Sequence, residues 1–249
     1  MCGRYVAKSD PAKIAALFKV EVLDGAAAEL GDNYNVAPSQ RIAVVDAPEG
    51  VRTLDVMRWG LVPSWAKEPK IGARMINARA ETAATKPAFR HAFKAKRCLV
   101  PADGFYEWRR YGPKLKQPSY FHRAGSDEPL AFAGLWEVWR DRSDPEAAPV
   151  RTACILTTTA NSTMEPVHDR MPVILAQSAW DAWLDPANHD TAALRELLVP
   201  AADDLLEAYP VARAVGNVRN NGPHLLDPAP AGELAEAESA GEDDAPERA

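Results

Sequence analysis

The chain has 249 residues, 47% hydrophobic and 26% charged, with a net charge of −6 at neutral pH, a balance that suits a globular domain with a substantial core. No apolar run approaches the ~20 residues that cross a bilayer, and no charged start followed by an apolar stretch marks a secretory leader, so a cytoplasmic setting without membrane attachment is expected. Three cysteines, Cys2, Cys98 and Cys154, are odd in number and lack CxxC spacing, which argues for a reducing compartment and against a disulfide framework; no metal and no cofactor are expected.

In chain order, Ser9-Asp10-Pro11 reads as a helix cap leading into an amphipathic turn that ends at Phe18. Short β-branched or aromatic runs then recur at residues 41–47, 53–62, 97–108, 118–124, 129–139, 151–160 and 172–176, separated by Pro, Gly and Asp. Residues 83–95 read as helical after a break at Pro87, and Ser178 and Thr191 begin runs with apolar residues at helical spacing. Gly112-Pro113 and residues 143–146 read as hairpin loops. The sum is an α+β fold, a single domain built on mixed or antiparallel β-sheet, barrel-like, with flanking helices. Its expected bounds are residues 2–226. Residues 227–249 hold eight acidic residues and one Arg, a net charge of −7, and leave the body at +1. Few sizeable apolar groups occur there, so this tail is expected to lack order, and a body near neutrality is free to hold a basic groove.

The residues with chemical content are unevenly spread. Cys2 follows Met1 directly. Once the initiator residue is trimmed, Cys2 carries an α-amine of pKa near ~8 and a thiol on adjacent carbons, which suit attack on an acyl carbon or closure of a thiazolidine with an aldehyde. Glu107 lies between Tyr106 and Trp108 on an expected strand; there it is a desolvated acid/base group, a surface carboxylate on the polar face of the strand, or one member of an ion pair with Arg109 or Arg110. His168 sits in a loop bounded by Pro166 and Pro172, placed either for proton transfer or for a structural role with Asp169. Asn77, Arg79 and Glu81 alternate with alanines and would share one face of an extended segment. Trp65, after Pro63, suits base stacking, and Arg4, Arg79 and Arg170 suit phosphate contacts. Asn35 in Tyr34-Asn35-Val36-Ala37-Pro38 is a further polar residue where a strand is otherwise apolar.

These segments, in this order, resemble the SOS-response-associated peptidase (SRAP) family of abasic-site processing proteins. The likeness rests on Met1-Cys2-Gly3-Arg4, Tyr34 to Pro38, Trp59-Gly60 with Pro63 and Trp65, Ile76 to Thr82, Arg97-Cys98 through Asp103 to Trp108, His168 to Pro172, and Val215 to Val218. It implies covalent capture of abasic sites in single-stranded DNA, including junctions with duplex, through a thiazolidine on Cys2. By motif, Asn77 positions the Cys2 amine or the opened sugar, Glu107 is the acid/base group and His168 assists ring opening. Arg4, Asn35, Pro38, Trp65, Arg79 and Arg170 are carried over as DNA-binding residues. Many members place a second bulky aromatic after the Trp, where this chain has Ala66. The protein is expected to act as a monomer. The rival readings are an N-terminal-nucleophile cysteine peptidase and a non-covalent binder of single-stranded DNA.

Overall fold

The structure is a computed structural model describing residues 2–112 and 115–242. The chain begins with β1 (Tyr5–Ala7), α1 (Pro11–Phe18), β2 (Val22–Leu23), α2 (Gly25–Ala28), β3 (Asn33–Val36), β4 (Arg41–Asp46) and β5 (Thr53–Trp59). A loop with one 3-10 segment (Pro69–Arg74) leads to β6 (Asn77–Arg79), α3 (Ala80–Ala83) and α4 (Arg90–Ala95). Five strands follow, β7 (Arg97–Ala102), β8 (Gly104–Tyr111), β9 (Leu115–Arg123), β10 (Leu130–Trp139) and β11 (Val150–Thr159). The chain ends through β12 (Arg170–Pro172), α5 (Trp180–Leu184), α6 (Thr191–Glu196), β13 (Leu206–Pro210) and α7 (Ala231–Glu242).

Two sheets organise these elements. One is antiparallel, in the order β13-β9-β8-β1-β3. The other runs β12-β11-β10-β7-β4-β5-β2, with β6 beside β11. A parallel pairing of β5 with β11, at Thr152↔Arg58 and Ala153↔Trp59, closes five of its strands into a ring. The fold is α+β on a mixed, barrel-like sheet, as the spacing of strand and helix signals predicts.

Strand alternation divides the core. Val45, Leu54, Leu99, Leu135 and Leu156 belong to one apolar cluster with the helix residues Phe18, Phe93, Trp180 and Trp183. Val44, Met57, Trp59, Val100, Phe132 and Ile155 belong to a second, which also takes Tyr5, Phe105 and Phe121 from the five-stranded sheet. Helix α1 forms because Asp10 accepts the Ala12 N–H at 2.7 Å and Pro11 opens the first turn; it ends at Lys19 in the left-handed region. Its last residue, Phe18, stacks on Trp180 with centroids 4.5 Å apart.

Three expectations meet a different arrangement. Of residues 83–95, only Ala83 (the end of α3) and Arg90–Ala95 (α4) are helical; the break at Pro87 is as expected, but the helix starts only at Arg90. Of residues 172–176, only Pro172 belongs to β12, followed by one bridge at Phe132↔Ile174. The tail is ordered over α7, which packs on β8 and β9 and whose Ala237 is buried; residues 243–249 lie outside the described residues. At the expected hairpin, β8 and β9 pair up to Tyr111↔Leu115; Gly112 holds a φ of 63°, and Pro113 lies outside the described residues.

Candidate active site

The amino-terminal segment runs into β1, which is sandwiched between β3 and β8. That pairing fixes Cys2 in the second apolar cluster with no exposed surface. Burial holds the Cys2 thiol well above its ordinary pKa, the nearby Glu107 carboxylate adds to this, and the Arg4 backbone N–H, which donates to the sulfur, opposes it. Asn77 comes from β6, held in parallel register by Ile155↔Asn77 and Thr157↔Arg79. Its Nδ2 donates to the Cys2 carbonyl at 2.8 Å, and its Oδ1 is buried without a partner among the described residues.

Glu107 reaches the same place from β8, opposite Ser119 of β9. It is 4% exposed, and burial pushes its carboxyl pKa up to about 7, with a smaller contribution from Asp169. A carboxyl that shares its proton evenly near neutrality can both give and take one. His168 stands in the loop between β11 and β12. Its Nδ1 lies 2.7 Å from Asp169 Oδ1 and accepts the Arg170 backbone N–H at 3.0 Å. Burial lowers the imidazole pKa; Asp169 opposes this, and Arg110 and Arg170 add to it. One nitrogen cannot accept an N–H and donate to a carboxylate at once. Nδ1 therefore accepts from Arg170 when it is bare and donates to Asp169 when it carries the proton. Asn77 thus bonds Cys2, Glu107 acts electrostatically on Cys2, and Asp169, the partner of His168, acts on Glu107. Asp169 neighbours His168, as the sequence suggested, and acts on Glu107; Arg110, which the sequence offered as a partner for Glu107, acts on His168 instead.

The expected DNA-binding residues divide into two groups. Trp65 is 52% exposed and borders a cavity of about 470 Å³ with Ala66, Lys67, Glu68, Lys70, Ile71 and Arg74. Ala66 itself is buried, and its carbonyl accepts the Trp139 indole N–H at 2.7 Å. Arg79 is exposed at the end of β6. Pro38 is half-buried in a turn tied to the end of β5 by the Ser39 N–H to Trp59 carbonyl bond of 2.8 Å. The others turn inward. Arg4 donates to Asn35 Oδ1 at 2.7 Å and to the Val215 carbonyl at 2.8 Å, and Asn35 Nδ2 donates to the Val215, Asn217 and Asn220 carbonyls. Arg170 forms a bidentate pair with Glu81 at 2.5 and 3.0 Å and donates to the Thr157 carbonyl. These guanidiniums already have protein partners, and in this geometry they hold segments together rather than face outward.

All three cysteines are free and buried. Among the described residues no group of three or more His, Cys, Asp or Glu could share a metal ion, and no helix is long and apolar enough to cross a membrane.

Known proteins resemble the chain over most of its length. The chain is 44% identical to the abasic site processing protein YoqW of Bacillus subtilis (strain 168), over 91% of this chain and 99% of that one. It is 30% identical to the abasic site processing protein YedK of Escherichia coli (strain K12), over 92% and 100%. It is 32% identical to the abasic site processing protein HMCES of Xenopus tropicalis, over 82% of this chain and 68% of that one. A crystal structure of a Bacteroides thetaiotaomicron protein superposes with a TM-score of 0.81 at 27% identity, covering 92% of this chain and all of that one. The family model described as SOS response associated peptidase matches residues 1–218, and the chain belongs to the SOS response associated peptidase (SRAP) family.

Proposed function

We propose that the protein captures abasic sites in single-stranded DNA, junctions with duplex included, by forming a covalent thiazolidine between Cys2 and the opened sugar. The observation that carries this reading is the Asn77 amide on the Cys2 carbonyl, beside a Glu107 carboxyl whose pKa lies near neutrality. Removal of Met1 places the amine and the thiol on one residue. His168 assists opening of the closed sugar by moving the hemiacetal proton to the ring oxygen. The neutral Cys2 amine adds to the aldehyde carbon, and loss of water gives the imine. The sulfur then bonds to that carbon while its proton passes through Glu107 to the imine nitrogen. One water leaves overall, and ring closure gains from being intramolecular. The high thiol pKa fits this order, because the sulfur stays neutral and buried until Glu107 takes its proton. Asn77 Oδ1, buried and unpartnered, supplies an acceptor for the amine N–H. Trp65 stacks on a flanking base and Arg79 meets the backbone. The protein works as a monomer in the cytoplasm, on the nucleoid when bound to DNA.

Incubation with an abasic single-stranded oligonucleotide followed by a denaturing gel tests the reading. A heat-stable shifted band lost in Cys2→Ala is expected. In Cys2→Ser the imine still forms but the stable ring does not, giving strand cleavage or a reducible adduct. A heat-stable crosslink from Cys2→Ser, or salt-sensitive binding without any crosslink, overturns the covalent mechanism. Cleavage of peptides without reaction on DNA would instead support the hydrolase.

A further inference from the structure

Helix α7 begins at Ala231, beyond the family match that ends at residue 218. It carries Glu233, Glu236, Glu238 and Glu242 and no basic residue, and the chain continues with Asp243, Asp244 and Glu247. It has little apolar surface to bury. What holds it is Arg213: the Arg213 backbone N–H donates to Glu233 Oε2 at 2.9 Å, Nη2 to the Glu233 carbonyl at 2.7 Å, and Nη1 to Glu236 Oε2 at 2.5 Å. The Arg213 Nε also donates to Gln117 Oε1 at 3.3 Å. Gln117 faces Arg109 across the β8–β9 ladder, two residues from the Glu107↔Ser119 pair, which is about 7 Å along the strand. The same stretch of chain continues to Val215, whose carbonyl takes the Arg4 guanidinium two residues from Cys2. The helix is thus a dense negative charge anchored on a cation that contacts Gln117, two residues along β9 from the residue opposite Glu107.

We infer that α7 is an acidic mask: in the free protein it occupies the Arg213 surface, and a phosphate of the DNA backbone replaces its carboxylates when a strand seats. This rests on the DNA reading given above. Glu236 is 64% exposed on its side chain, so one of its bonds to Arg213 is a surface pair of the weak, salt-sensitive kind. A phosphate offers the same guanidinium equivalent acceptors. The mask lowers affinity for nucleic acid most at low ionic strength and is silent when salt screens both interactions.

Three chains test it: the intact protein, a chain ending at Pro230, and the intact-length Glu233→Gln/Glu236→Gln variant, which keeps the helix. The probe is a lesion-free single-stranded oligonucleotide, read by fluorescence anisotropy at about 50 mM and about 0.5 M salt. One added phosphate contact should make both altered chains bind about fivefold tighter at the lower salt, with affinities converging at the higher. Arg213→Gln in the shortened chain should abolish the gain. Equal binding by all three chains at both salts overturns the mask and leaves the DNA reading standing. No binding by any of them, together with no capture of an abasic strand, overturns both.

Discussion

In water a glutamate is fully ionised at pH 7; buried on β8, Glu107 holds its proton to about that value. The expected capture rate therefore rises as pH passes through 7, where the base form appears. Glu107→Gln should flatten that rise and slow capture about 10²–10³-fold; gel-based rates from pH 6 to 8 measure both. The same proton affects stability. The folded chain keeps it up to about 7, whereas the unfolded chain releases it near the ordinary glutamate value of 4.5. The native state therefore binds more protons in that window, and stability falls as pH rises through it, by on the order of 3 kcal/mol. Glu107→Gln should remove much of that fall, so denaturant titrations at pH 5 and 8 that run parallel in both proteins would contradict the assignment. Asn77→Ala removes the donor to the Cys2 carbonyl. It should lower stability by about 1–3 kcal/mol and slow capture through a misplaced amine, whereas an unchanged rate would take Asn77 out of the chemistry.

Elements reach the site through a few tight crossings. A Cβ on Gly60 would lie 2.6 Å from the Gly72 carbonyl oxygen, one on Gly72 would lie 2.5 Å from that of Gly60, and Gly60 holds a φ of 127°. This backbone contact fixes both ends of the loop that presents Trp65. Gly60→Ala should therefore destabilise the fold by ~2 kcal/mol or more and weaken binding to single strands, as Trp65→Ala should by ~1–3 kcal/mol; thermal melts and anisotropy separate the two effects. Much of this level was readable from residue order. Period-two apolar runs gave the long strands, and Asp10-Pro11 gave the start of α1. The four residues expected to do chemistry were picked out by local signals: Cys2 by its place after Met1, Asn77 and Glu107 as polar residues on strands, and His168 by its proline-bounded loop. Long-range pairing was not readable: nothing local announces that β5 and β11 close a ring or that β6 docks in parallel on β11. The inward turn of Arg4, Asn35 and Arg170 was equally hidden, because in the sequence an arginine among polar residues reads the same whether its partner is a phosphate or a backbone carbonyl. The order of α7 escaped for a related reason. Its sequence lacks an apolar face, and the docking depends on Arg213, far from it in composition.

Across the whole molecule, charge is segregated: a body near neutrality carries a strongly acidic end. Binding to DNA should accordingly be salt-dependent despite the negative total. Arg79→Ala should reduce the slope of log affinity against log salt by about 0.7–0.9, and an unaltered slope would remove Arg79 from the strand's path. Chain closure has a consequence for manufacture in the cell. Cys2 has no accessible surface, and its carbonyl is held by a side chain from β6. A processing aminopeptidase works on an extended substrate, so the initiator residue has to go while the nascent segment is still loose. On the proposed Cys2 chemistry, molecules that keep the initiator residue lack the free amine and should not capture abasic DNA. Specific activity should then follow the pace of synthesis relative to trimming, and intact-mass spectra of rapidly and slowly expressed batches would reveal the two populations directly.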